Sequence, residues 1–200
     1  MIDKYLTISS PSEGLYKEKG SRFISFAYPV YSENEIKQYL LELKKKYYDA
    51  RHHCYAYRLG VTGEVWRAVD DGEPSGSAGK PILGQLLSNN LTNIVVFVVR
   101  YFGGIKLGVP GLINAYRSAT ADSILNAEIV EQEDKDSFSI EFDYPVMNEV
   151  MKIIKEEQPE IVKQEFGTVC HIELRIRRSL SETLKTKLIN AANARKMLTQ

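Results

Sequence analysis

Cysteine is scarce in this chain: Cys54 and Cys170 are its two, far apart, so neither a disulfide framework nor the paired spacing of a zinc site is available. The expected setting is a reducing interior. An excess of either charge is also missing, since Lys plus Arg and Asp plus Glu number 26 each. No global field then advertises nucleic acid or membrane, and the two halves of the chain differ little in charge. Long apolar runs are absent: the richest one, residues 93–102, is too short to cross a bilayer as a helix. The opening MIDKYLTISSPSEG has no apolar signal-peptide core, so the expectation is a cytoplasmic protein. Internal repeats and low-complexity tracts are lacking too.

What the chain does have is concentrated in residues 70–111, DDGEPSGSAGKPILGQLLSNNLTNIVVFVVRYFGGIKLGVPG. Residues 70–79 combine Asp70, Asp71 and Glu73 with Ser75, Ser77 and three glycines, and Lys80-Pro81 opens an apolar run at helical spacing. Glycine-rich loops of this kind let a ligand approach the main chain. Residues 94–99 are all apolar and mostly β-branched, which predicts a strand buried on both faces. Arg100, Tyr101, Gly103, Gly104 and Lys106 follow that strand, and Pro110-Gly111 starts another helix. Two helix N-termini with free N–H groups, flanked by Lys80, Arg100 and Lys106, suit a phosphate or carboxylate.

Around this stretch, strands are expected over 15–19 and 22–30 after a polar lead. Ser32 to Glu35 is a capping box for a helix to about Tyr48, and 54–59 with 64–69 form a hairpin. The acidic residues 128–136 mark a domain boundary, giving domains over 1–130 and 136–200. From Ser137 the order of predicted elements is βαββαβ, which is ferredoxin-like, with Ser179 or Ser181 capping the last helix and 196–198 as a final short strand. The fold class is α+β.

Several sharper motifs fail on inspection. Gly79-Lys80 lacks the P-loop glycine at Pro74 and the hydroxyl at Pro81; Ser77-x-x-Lys80 lacks its supporting elements; Gly103-Gly104-x-x-x-Gly108 does not have dinucleotide-turn spacing. His52-His53-Cys54 admits a structural, a ligand-binding or a metal reading, and strand alternation puts His52 with Cys54 on one face and His53 with Tyr55 and Tyr57 on the other. The carboxylates of 70–73 suit Mg²⁺, and equally they suit bonding the loop's own N–H groups. Tyr55, Tyr57, Trp66 and Tyr101 offer either core packing or stacking surfaces for bases, and Arg175, Arg177 and Arg178 form a small basic patch.

Together, ARHHCYAYRLG (50–60), DDGEPSGSAGKPIL (70–83) and VVRYFGGIKLGVPGL (98–112) resemble the signature segments of the IMPACT/YigZ family, and the resemblance covers the whole chain. It implies a ribosomal protein S5 domain 2-like fold for the first domain and a ferredoxin-like fold, similar to domain V of the translocation factor EF-G, for the second. It also implies contact with RNA, the ribosome or a translation-related protein. Eukaryotic members act on a stress-kinase pathway and carry an RWD domain that this sequence does not contain, so that role is not carried over. No reaction, cofactor, metal or membrane partner is implied. His53, Asp71, Ser75, Ser77, Lys80, Arg100, Tyr101, Gly103, Gly104 and Lys106 are expected to form a ligand or nucleic-acid surface, not a catalytic set. The alternatives are a metal-dependent hydrolase or phosphotransfer enzyme using the acidic loop with His53, and a protein-docking module on the second domain.

Overall fold

A computed structural model describes residues 3–192 and 196–199. The chain divides between Gln132 and Glu133 into two compact units, the second of which also takes in Asp3.

In the first unit the elements run β1 (Lys4–Ile8), β2 (Ser12–Glu18), β3 (Ser21–Pro29), α1 (Glu33–Lys46), β4 (His52–Leu59), β5 (Val65–Val69), α2 (Gly79–Ser88), β6 (Ile94–Tyr101), α3 (Gly108–Leu125) and β7 (Ile129–Glu133). Five strands form one antiparallel sheet in the order β2-β3-β6-β4-β5, and β1 pairs with β7 apart from it. The central strand β6 is apolar because both of its faces are covered: Ile94, Val96 and Val98 join the core beneath α2 and α3, while Val95, Phe97 and Val99 join the core beneath α1. Helix α1 starts where Ser32 Oγ accepts from the Glu35 N–H at 3.3 Å, with Glu35 reaching back to the Tyr31 N–H at 3.2 Å. Lys44, Lys45 and Lys46 close it against the negative end of the helix dipole.

The second unit continues β8 (Lys135–Asp143), a 3₁₀ turn (Tyr144–Val146), α4 (Met147–Glu157), β9 (Glu160–Glu165), β10 (Val169–Arg177), α5 (Arg178–Ala192) and β11 (Lys196–Thr199). Its sheet is antiparallel in the order β11-β8-β10-β9. Alternate residues of β10 (Cys170, Ile172, Leu174, Ile176) and β8 (Phe138, Ile140, Phe142) enter a core closed by Val150 and Ile154 of α4 and by Leu184 and Leu188 of α5.

Two stretches read as polar from sequence are strands. The lead contains β1, and the acidic stretch contains β7, whose backbone satisfies itself on β1 from the far end of the unit. Helix α5 opens at Arg178; Ser181 Oγ bonds the Asp136 carboxylate at 2.5 Å rather than a backbone N–H of its own helix. Among the described residues no helix is long and apolar enough to cross a membrane.

Candidate functional site

The two glycine-rich turns converge. Glu73 and Pro74 from the first and Phe102, Lys106, Leu107, Gly108 and Val109 from the second line one cavity of about 680 Å³. Asp49 to Arg51 just ahead of β4, His52 at its start, Arg100 and Tyr101 from the end of β6, and Leu112 of α3 complete its walls. Strand order explains the meeting. β4 and β6 are antiparallel neighbours, with His52 opposite Arg100, so the start of one and the end of the other share a sheet edge.

The first turn is held by its own acids. Strand β5 ends at Val69, opposite Tyr55, so the His53 N–H has no strand partner; Asp71, two residues on, supplies a carboxylate oxygen at 2.7 Å. Asp71 sits at φ 42°, its carbonyl 2.9 Å from His52 Nδ1 and its carboxylate 3.9 Å from Lys44 Nζ. The Asp70 carboxylate accepts from the N–H groups of Gly76, Ala78 and Gly79 at 2.8, 3.0 and 2.8 Å. Burial works against that charge, but the three N–H donors and nearby Lys80 outweigh it and hold the Asp70 carboxyl below the usual carboxylate range. The start of α2 is therefore already occupied. This corrects the expectation of two free helix N-termini: a tethered carboxylate fills one of them.

Glu73 is the buried centre of the site. It accepts from Arg100 Nη1 at 2.6 Å and from the Tyr116 hydroxyl at 2.8 Å. The Cys54 thiol points at the Asp70 carbonyl at 2.9 Å and lies 3.3 Å from the Tyr116 hydroxyl. Burial pushes both the Cys54 thiol and the Tyr116 phenol well up, so both stay protonated at neutral pH and neither is a nucleophile there. Arg100, expected as a free cation, is thus paired inside the protein. Its Nε nonetheless has no partner, and its guanidinium lies 5.5 Å from the Phe23 ring and 5.7 Å from that of Phe102.

The second turn differs. Gly103 packs so tightly on the β2–β3 turn that a Cβ there would fall 1.9 Å from the Gly20 carbonyl carbon, and its N–H donates to Ser21 Oγ at 3.1 Å. Gly104 and Gly108 take φ of 90° and 72°, the left-handed region that glycine enters without strain. Helix α3 then begins with no side chain capping it. Its first N–H groups, at Gly108 and Val109, belong to residues that line the cavity. Arg51 and Lys106 are exposed and make no ion pair among the described residues. Asp49 opposes them, but it accepts from the Tyr101 hydroxyl at 2.6 Å, an interaction that pushes that phenol up to about 12.

Of the residues expected from sequence, Arg100, Tyr101 and Lys106 line this cavity. His53 does not: strand alternation turns it to the α1 face, where burial lowers its pKa despite the Asp71 charge, and its neighbour His52 takes the cavity wall. Ser77 is turned inward onto the Pro74 carbonyl at 2.6 Å. Ser75 and Lys80 are exposed on the first turn and on α2, and Gly103 and Gly104 shape the second turn without lining the space. Sequence reasoning reaches the α3 start, which it offers to an anion, but overlooks Arg51 and Phe102 as wall elements. The signal for Arg51 was its place just ahead of a strand that begins two residues earlier than expected.

Residues 19–124 match the family model described as the Impact N-terminal domain. The chain is 34% identical over 158 residues to IMPACT family member YvyE of Bacillus subtilis, covering 79% of this chain and 73% of that one. It is 31% identical to an IMPACT family member of Haemophilus influenzae, covering 88% and 87%. A crystal structure of a hypothetical protein superposes with a TM-score of 0.72 at 24% identity over 100% of this chain and 98% of that one, a likeness that establishes the fold alone.

Proposed function

The chain belongs to the IMPACT family, and from that premise we propose that it is an RNA-binding protein of the cytoplasmic translation machinery that acts by binding and not by turnover. The observation that carries this reading is the cavity where both glycine turns meet, which puts Arg51, Lys106 and an uncapped helix start beside the aromatic rings of Tyr101 and Phe102. Cations and N–H groups hold phosphates, aromatic rings stack on bases, and neither needs a net positive charge over the whole chain. We assign the first unit to the S5 domain 2-like fold. The second we assign to the ferredoxin-like fold, on the support of its βαββαβ order and its β11-β8-β10-β9 sheet.

The acidic loop does not favour the metal-dependent alternative. Asp70, Asp71 and Glu73 each serve a different internal donor set, and among the described residues no cluster of acids, histidines and cysteines is arranged to hold a metal.

The test is fluorescence anisotropy of a labelled single-stranded RNA titrated with the full chain across a range of salt concentrations. Affinity is expected to fall steeply as salt rises, and Arg51→Ala and Lys106→Ala are each expected to lower the slope of log K against log salt by about one. Affinity independent of salt, or slopes unchanged in both variants, overturns the proposal. Arg100 is left intact in this experiment because its guanidinium supports the buried Glu73.

A further inference from the structure

The cavity has a definite size, and one residue of its wall, Arg100, holds an unmet donor that is itself closed to solvent. Arg100 is 8% exposed, its Nη1 is engaged by Glu73, and its Nε finds no acceptor although the residue lines the space. A buried guanidinium with an unused N–H is an expensive arrangement unless something completes it. The α3 start provides the N–H groups of Gly108 and Val109 beside the same space, with Pro110 contributing none and no side chain filling the role. Arg51 and Lys106 stand at its edge. The lining also holds the Asp49 carboxylate, engaged by the Tyr101 hydroxyl, and Phe102, 58% exposed, has the Arg100 guanidinium 5.7 Å from its ring and leaves the greater part of its surface open. A volume of about 680 Å³ falls within the roughly 300–1,000 Å³ of small-ligand sites and has no room for a stacked RNA helix.

From these features, and resting on the RNA-binding reading above, we propose that the cavity is a single-nucleotide site. One nucleoside phosphate enters, its phosphate against the α3 N-terminus and the cations Arg51, Lys106 and Arg100, and its base against Phe102. Binding is non-covalent. The same chemistry can arrive as a free nucleoside monophosphate or as one unstacked nucleotide of an RNA strand, including a phosphorylated 5′ end. Glu73 offsets Arg100 and Asp49 opposes Arg51 and Lys106, which leaves the lining a small positive excess, so the charge the site can match is that of one phosphate and not of a polyphosphate chain.

Isothermal titration of the full chain separates the cases. The probes are UMP, AMP, the matching nucleosides, inorganic phosphate, and a single-stranded RNA tetramer with and without a 5′-phosphate. Monophosphates are expected to bind at least about tenfold more tightly than nucleosides, the size of losing one charge-assisted contact. Val109→Asp places a carboxylate in the first turn of α3, where it suits the helix dipole and preserves the fold. It is expected to abolish monophosphate binding. Phe102→Ala is expected to bring monophosphate affinity down to that of inorganic phosphate. Absence of monophosphate and phosphate binding at millimolar concentration, or binding that survives Val109→Asp, overturns the single-nucleotide site. If RNA still binds with its salt dependence in that event, the RNA-binding reading stands without the site. If monophosphates bind and the tetramers and longer RNA do not, the site stands and the RNA-binding reading falls. A tetramer that binds better with its 5′-phosphate identifies a strand end as the source, and equal binding of the two identifies an internal nucleotide.

Discussion

At the scale of single residues, the site depends on a carboxylate almost wholly withdrawn from solvent. Glu73 and Arg100 form an ion pair whose side chains are 3% and 9% exposed, with Tyr116 as a second donor. Removing one charge strands the other in a medium that solvates it poorly, whereas replacing both with apolar groups of similar size removes the problem with the pair. Arg100→Met is therefore expected to destabilise the chain by about 3–5 kcal/mol, while the double change Arg100→Met with Glu73→Met recovers most of that loss. Urea unfolding of the three proteins checks it; a double variant no better than Arg100→Met refutes the account. Sequence alone put Glu73 in the acidic loop and Arg100 on the expected ligand surface, with no sign that the two pair. Twenty-seven positions separate them, and their pairing depends on where the first turn folds back over β6.

At the scale of elements, the most legible feature was the strongest pattern. Six apolar residues in succession at 94–99 mean a strand covered on both sides, and β6 is that strand. The helices read from Ser32, Pro81 and Pro110 are present within a few residues of expectation because their caps and periodicity are local properties. Strands β1 and β7 were illegible for the opposite reason. Each is five residues long and only partly buried, and their partnership joins the two ends of the first unit. The side of the sheet that carries the cavity was equally hidden: alternation separated His52 from His53, but nothing in the spacing said which face the turns would close over. Glycines within these elements divide by what surrounds them. Gly84 in α2 is exposed with open space where a Cβ would stand, whereas at Gly103 that atom would overlap the backbone of Gly20. Gly84→Ala is expected to stabilise by about 0.4–1 kcal/mol and Gly103→Ala to destabilise by roughly 1–3 kcal/mol. Thermal unfolding of both variants decides, and a loss of stability in Gly84→Ala contradicts the packing described for α2.

Over the whole molecule, opposite charges balance at 26 each, so the response to pH comes from individual buried groups and not from a global field. His53 and Asp70 both titrate lower in the folded chain than in the unfolded one, from ordinary values of 6.5 and 3.8. For both groups the unfolded chain binds the extra proton, so the stability they contribute is complete above those ordinary values and drains away as pH falls toward the folded ones. The urea midpoint is expected to decline as pH drops from 7 to 5. His53→Gln should flatten that portion, and Asp70→Asn should change the slope only below about pH 4. A midpoint constant from pH 7 to 5 in the parent chain contradicts the burial of a neutral His53. The Asp70 carboxylate also bears on how the molecule meets anions from outside. Because it is linked covalently to the N–H groups it occupies, it competes as though present at millimolar concentration or more, at every moment and without ever diffusing away. Sulfate, pyrophosphate or a nucleotide arriving at α2 faces an incumbent that dilution cannot remove, so traffic in negative charge is diverted to the other glycine turn.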